Sequence, residues 1–187
     1  MSTQVRLDEI YRKEIRPQLL KEGNYKNVME VPSISKVVIN VGSKEAVADS
    51  RIIKKISDVI ARITGQLPVR TIARKSIASF KIREGMPLGV KVTLRGKNMY
   101  EFLDRFINLA LPKVKDFQGL KDQLDGRGNY NIGVKEWSIF PEADSAAEEM
   151  NSGLNITIHT TARNDQDALE LLKKFGMPFS IKKHTKR

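Results

Sequence analysis

The stretch at residues 88–95, L-G-V-K-V-T-L-R, constrains this chain more than any other. Leu88, Val90, Val92 and Leu94 alternate without a break with Gly89, Lys91, Thr93 and Arg95. A period of two is the geometry of a strand, whose side chains leave alternately from its two faces. The stretch therefore predicts one apolar, buried face and one wet face of cations and a hydroxyl. Such a strand belongs in an antiparallel sheet covered on one side, because strands of buried parallel sheets are apolar on both faces. Residues 34–42 repeat the pattern, with Val37, Ile39 and Val41 opposed to Lys36, Val38 and Asn40. Residues 153–161 do so again, with Leu154, Ile156 and Ile158 opposed to Asn155, Thr157, His159 and Thr161. A short strand at 68–72 and another within 131–140 complete the set.

Helical periodicity fills the intervals. Ile52, Ile53, Ile56, Val59, Ile60 and Ile63 recur at the 3.6 period, with Asp49 or Ser50 as N-cap and Gly65 as the terminal glycine. A second helix is expected at 98–111, burying Met99, Phe102, Leu103, Phe106, Ile107 and Ala110 and ended by Pro112. A third is expected at 166–175, capped by Asp165 and closed by Gly176, and a short acidic one at 142–150. An N-terminal helix at 3–22 carries Leu7, Ile10, Tyr11 and Ile15 on one stripe and is expected to break or kink at Pro17. The order predicts an α+β fold. Its core is a ferredoxin-like, split β-α-β arrangement, an antiparallel sheet with helices on one face and one open basic face. The expected organisation is a single domain over 1–187. It comprises an N-terminal helical arm at 1–23, an α+β body at 34–179, a projecting basic β-hairpin loop at 73–87 and a basic tail at 180–187.

Charge decides what the open face meets. Among the 187 residues, Lys and Arg number 33 against 22 Asp and Glu, a net +11. Residues 69–97 hold eight bases and one acid, and the tail adds Lys182, Lys183, Lys186 and Arg187, so these two segments account for the whole excess. A neutral body with a concentrated basic stretch sets up a directional field that draws polyanions, whereas the plain alternative is a solvated charged face. The open strand faces would present Lys36, Asn40, Lys91, Thr93, Arg95, Asn155, Thr157 and His159. Lys and Arg supply the phosphate contacts, and Asn, Thr and Arg reach 2′-hydroxyls and base edges in a shallow RNA minor groove. The strand at 88–95 lacks aromatics for base stacking, so recognition of RNA shape and backbone is expected. The loop, A-R-K-S-I-A-S-F-K-I-R-E-G-M-P, is too long for a simple hairpin turn and reads as a functional projection. Its Phe80 would either stack on a base or pin the loop as a hydrophobic foot.

Enzymatic readings find little support. There is no P-loop signature, no H-E-x-x-H, and no cysteine to act as nucleophile or thiolate ligand. His159 has no acidic neighbour on its strand face, and Glu136, Glu142 and Asp144 read as a solvated acidic surface. No cofactor or metal is expected. No run of 18 apolar residues occurs, and the lack of cysteine is compatible with a reducing cytosol. An RNA-processing or modifying enzyme and a general RNA chaperone, each using the same basic face, stand as alternatives.

Several longer motifs resemble a known family. I-T-G-Q at 63–66, the run A-R-K-S-I-A-S-F-K-I-R-E-G-M-P-L-G-V-K-V-T-L-R-G at 73–96, and M-Y-E-F-L-D-R at 99–105 are similar to the bacterial-type large-subunit ribosomal protein L5 family. So are D-G-R-G-N-Y at 125–130, K-E-W-S-I-F-P-E at 135–142 and G-M-P-F at 176–179. The resemblance implies a protein of the central protuberance that binds 5S rRNA through its sheet face and first helix. It implies contact with the large-subunit rRNA, contact of the basic loop with the P-site tRNA, and an intersubunit bridge to the small-subunit protein S13. Carried over by motif, Asn40, Gln66, Thr93 and Arg95 would be rRNA contacts. Arg74, Lys75, Ser76, Phe80, Lys81 and Arg83 would line the tRNA loop. Lys36 and Lys91 join the rRNA set from the strand alternation alone. Two departures are visible: N-V-G-S-K stands where the family has N-M-G-V-G, and P-K-V-K-D-F-Q-G replaces P-R-V-R-D-F-R-G. The second puts point charges and an amide at Lys113, Lys115 and Gln118 in place of planar guanidinium forks. The basic tail is expected to order on RNA.

Overall fold

Strand β1 (Ile34–Gly42) is the middle of a five-stranded sheet, and its alternation is obeyed residue by residue: Val37, Ile39 and Val41 are buried while Lys36, Val38 and Asn40 are partly open. The structure is a computed structural model that describes residues 5–23, 25–143 and 152–180. With β2 (Val69–Ile72), β3 (Pro87–Leu94), β4 (Tyr130–Val134) and β5 (Leu154–Thr160), the strand order is β2-β3-β1-β5-β4, every neighbouring pair antiparallel. The split β-α-β order places β3 between β1 and β2, and β4 extends the sheet beyond β5.

Helices cover the apolar face. In α2 (Arg51–Thr64) the stripe Ile53, Ile56, Val59, Ile60 and Ile63 is buried, and Gly65 ends the helix at φ 68°, where a side chain would be strained. Ser50 is the N-cap residue, but Asp49 makes the bond, accepting from the Arg51 N–H at 2.8 Å. Helix α3 (Gly96–Arg105) runs on through a π turn at Phe106–Ala110. Phe102, Phe106 and Phe140 stack pairwise, their ring centroids 5.9–6.2 Å apart. Arg105 ties α3 to the end of α2 through the Ile63 carbonyl (3.0 Å) and to the Pro141–Ala143 turn through an ion pair with Glu142.

Four features differ from expectation. Pro17 does not break the N-terminal helix: α1 comprises an α segment Arg6–Ile10, a π turn Tyr11–Ile15 and an α segment Arg16–Glu22. Proline lacks the N–H that would bond the Lys13 carbonyl, and a wider turn lets its ring pass that carbonyl. The buried positions Leu7, Tyr11, Ile15 and Leu19 are spaced by four. That spacing drifts around a helix of 3.6 residues per turn, and the wide turn takes up the drift. Secondly, β4 ends at Val134, and Trp137–Ile139 forms a 3-10 turn that buries Trp137 completely. Thirdly, α4 (Asp165–Lys174) has Asn164, not Asp165, at its N-cap. The Asp165 carboxylate instead accepts from the Gly126 and Gly128 N–H groups at 3.0 and 2.9 Å. Finally, Pro112 does not stop α3 abruptly but opens a 3-10 turn at Leu111–Lys113. The acidic segment expected to be helical at 142–150 lies outside the described residues from position 144, as does the tail from 181.

Candidate nucleic-acid interface

Strand register sorts the open face into rows. One row runs Val69, Lys91, Asn40, Asn155 and Gly133 across all five strands; the next runs Thr93, Val38, Thr157 and Asn131. Beyond these, Lys36 lies opposite His159. Residues directly opposite on neighbouring antiparallel strands share a face, so the alternation read in three separate stretches converges on one surface. Gln66, from the turn after α2, reaches it through its amide, which donates to the Thr93 carbonyl at 3.3 Å. Arg95 follows β3 and donates to the Ser35 carbonyl at 3.4 Å, beside the register shift between Ile34 and Lys36. Of the six residues expected to meet rRNA, Lys36, Asn40, Lys91 and Thr93 share the open face by register, and Gln66 and Arg95 reach its margin through the Thr93 and Ser35 carbonyls.

The loop between β2 and β3 prolongs their hairpin. The Ala73 N–H donates to the Met86 carbonyl at its base (2.8 Å), Ile77 and Ile82 bridge at its middle, and Lys81 turns the tip at φ 57°. Arg74, Lys75, Phe80, Lys81 and Arg83 all project into solvent. Phe80 is 67% exposed, which excludes the hydrophobic-foot alternative. Ser76 is engaged within the loop, its hydroxyl accepting from the Glu84 N–H at 2.9 Å.

The turn marked by D-G-R-G-N at 125–129 forms as its sequence predicts, but its link to His159 was not foreseen. Asp125 accepts from the Arg127 and Asn129 N–H groups and from the Asn129 side chain (2.7 Å), and those bonds hold its carboxyl below the usual carboxylate range. Asn129 in turn meets His159 Nδ1 at 3.0 Å. Desolvation first, then the charges of Lys36 and Arg95, lower the His159 pKa, with Asp125 opposing them. The signal lay in the two glycines: Gly126 and Gly128 adopt positive φ, which predicts a tight turn but not the histidine it supports. Away from this face, a cleft of about 720 Å³ opens beside Phe117, Leu120, Ile132 and Ile139. None of the expected site residues lines it.

Among the described residues no helix is long and apolar enough to cross a membrane. Residues 27–83 match the family model described as ribosomal protein L5, and residues 87–179 match the model for the C-terminus of the same ribosomal family. The boundary between the two models falls in the basic loop, although β2 and β3 pair across it. The chain is 54% identical over 175 residues to the large ribosomal subunit protein uL5 of Geotalea uraniireducens, covering 93% of this chain and 98% of that one. It is 53% identical over 176 residues to uL5 of Spiroplasma kunkelii, covering 94% and 98%. Matched by the two family models and by these relatives over most of its length, the chain belongs to the bacterial-type ribosomal protein L5 (uL5) family, structural, RNA-binding and non-enzymatic components of the large ribosomal subunit.

Proposed function

We propose that this protein binds 5S rRNA through the open sheet face and the first helix and helps attach it to the large-subunit rRNA at the central protuberance. Lys36, Asn40, Gln66, Lys91, Thr93 and Arg95 make the contacts. The loop residues Arg74, Lys75, Phe80, Lys81 and Arg83 reach the P-site tRNA, with Ser76 stiffening the loop. The body takes part in an intersubunit bridge to the small-subunit protein S13. One cytoplasmic domain, with its helical arm, projecting loop and basic tail, carries these functions. The observation that carries this reading is the convergence of cations, amides and hydroxyls on a sheet face that the helices leave open. Cations neutralise phosphates, while hydroxyls and amides address riboses and base edges, which favours a folded RNA over any polyanion.

Competition binding tests the reading. At moderate, fixed salt the protein is expected to prefer 5S rRNA over an equal-length unrelated RNA, whereas a general chaperone would bind both alike. Arg95→Ala is expected to weaken 5S binding by about 1–3 kcal/mol, the usual worth of a charge-assisted contact. Unchanged affinity would remove Arg95 from the interface. Arg83→Ala, on the loop, is expected to leave 5S affinity within about twofold, since it loses no contact with that RNA, and to weaken tRNA occupancy of the P site in assembled particles. Loss of both together would refute the division of labour between face and loop.

A further inference from the structure

We propose that Lys36, Arg95 and His159 form a site for one RNA phosphodiester, and that His159 takes up a proton at Nε2 as the RNA docks. The proposal rests on the reading that this face meets RNA and names a chemical step within it.

The geometry fixes which nitrogen is free. The Asn129 amide nitrogen is committed to the Asp125 carboxylate at 2.7 Å, which can only accept, so the Asn129 oxygen is the atom facing His159 Nδ1. That oxygen also only accepts, and Nδ1 must therefore carry the hydrogen in the neutral ring. The Nε2 lone pair is left without a partner among the described residues. Lys36 faces His159 from β1, and Arg95, held on the Ser35 carbonyl, approaches from the end of β3. Asp125 acts from the far side, through Asn129. The side-chain neighbours of His159 on its own strand face, Thr157 and Thr161, do not titrate at neutral pH.

In the free protein, burial and two cations disfavour a third positive charge and hold the imidazole toward its neutral form. A phosphodiester placed between Lys36 and Arg95 reverses the sign of the local field. The proton comes from solvent and bonds the Nε2 lone pair, and the resulting N–H donates to the phosphate oxygen. No other bond changes. Asp125, behind the ring, favours the same charged form. The site therefore has two permanent cations that recruit the phosphate and a third that is made only on arrival.

Calorimetric titration of the full-length protein with 5S rRNA, at fixed salt and in two buffers of different ionisation enthalpy, counts the protons. Wild type is expected to take up a fraction of a proton at pH 7 and to bind about three- to tenfold more tightly at pH 6.0 than at pH 7.5, one proton allowing at most about tenfold per pH unit. His159→Gln keeps a donor for Asn129 and cannot titrate. It is expected to bind with a flat pH profile and no uptake, which also removes RNA groups and His184 as the source. A flat wild-type profile, or identical uptake in wild type and His159→Gln, would overturn the proposal while RNA binding itself stands. Absence of 5S binding by either protein at any pH would overturn the underlying reading together with it.

Discussion

A protein carrying Phe106→Ala is expected to lose about 3–5 kcal/mol of folding stability, the cost of deleting a fully buried aromatic ring and leaving a cavity. Phe106 is 0% exposed and stacks on Phe102 and Phe140. The three rings join α3 to the segment that follows β4, so neither partner can collapse into the space without shifting an element. Chemical denaturation checks this directly. Trp137, the single tryptophan, is fully buried, and its fluorescence should report the transition. A midpoint close to wild type would mean that the ring stack does not carry the packing. Phe106→Leu, which keeps most of the volume, is expected to lose much less.

Reversing the charge at Lys91 is expected to have the largest effect on RNA binding. Lys91 lies in the central cross-strand row, flanked by Val69 and Asn40, with its side chain in solvent. Lys91→Glu removes one cation and adds an anion that faces phosphate. The expected loss is on the order of a hundredfold in 5S affinity at about 0.1 M salt, with a shallower dependence of affinity on salt. Because the position is exposed, folding stability should stay within about 0.5 kcal/mol of wild type. Filter binding across a salt series together with thermal unfolding separates the two quantities. Unaltered affinity and slope would place Lys91 outside the interface.

Much of this surface is legible in the sequence because its code is local. Alternation at 34–42, 88–95 and 153–161 needs no tertiary information, and each strand forms where its pattern predicts one, with edges moved by a residue or two. The buried stripe of α2 is equally direct. What escapes is decided by partners distant in sequence. Pro17 reads as a breaker from propensity alone, yet packing of Leu7, Tyr11, Ile15 and Leu19 on the body holds the helix together through a π turn. Asp165 has the composition of a cap, but two N–H groups from a turn 37 and 39 residues away claim its carboxylate. Read along its own strand, His159 has no acidic partner, because Asp125 sits on another segment and acts through Asn129. The candidate site divides the same way: the permanent cations follow from the strand period, and the groups that orient the histidine do not.

The outer edge of β2 has a consequence for the life of this chain before assembly. That strand ends the sheet, and Val69 and Ile72 within it and Leu67 just before it are 71%, 62% and 78% exposed. An unpaired edge with apolar side chains is a template on which another copy can add a strand, and natural proteins usually guard such edges with charge or a covering segment. Here Arg70 is the one charge within β2. Newly made copies that outnumber their RNA are therefore expected to pair through this edge, so that an excess of protein over RNA would lower its solubility.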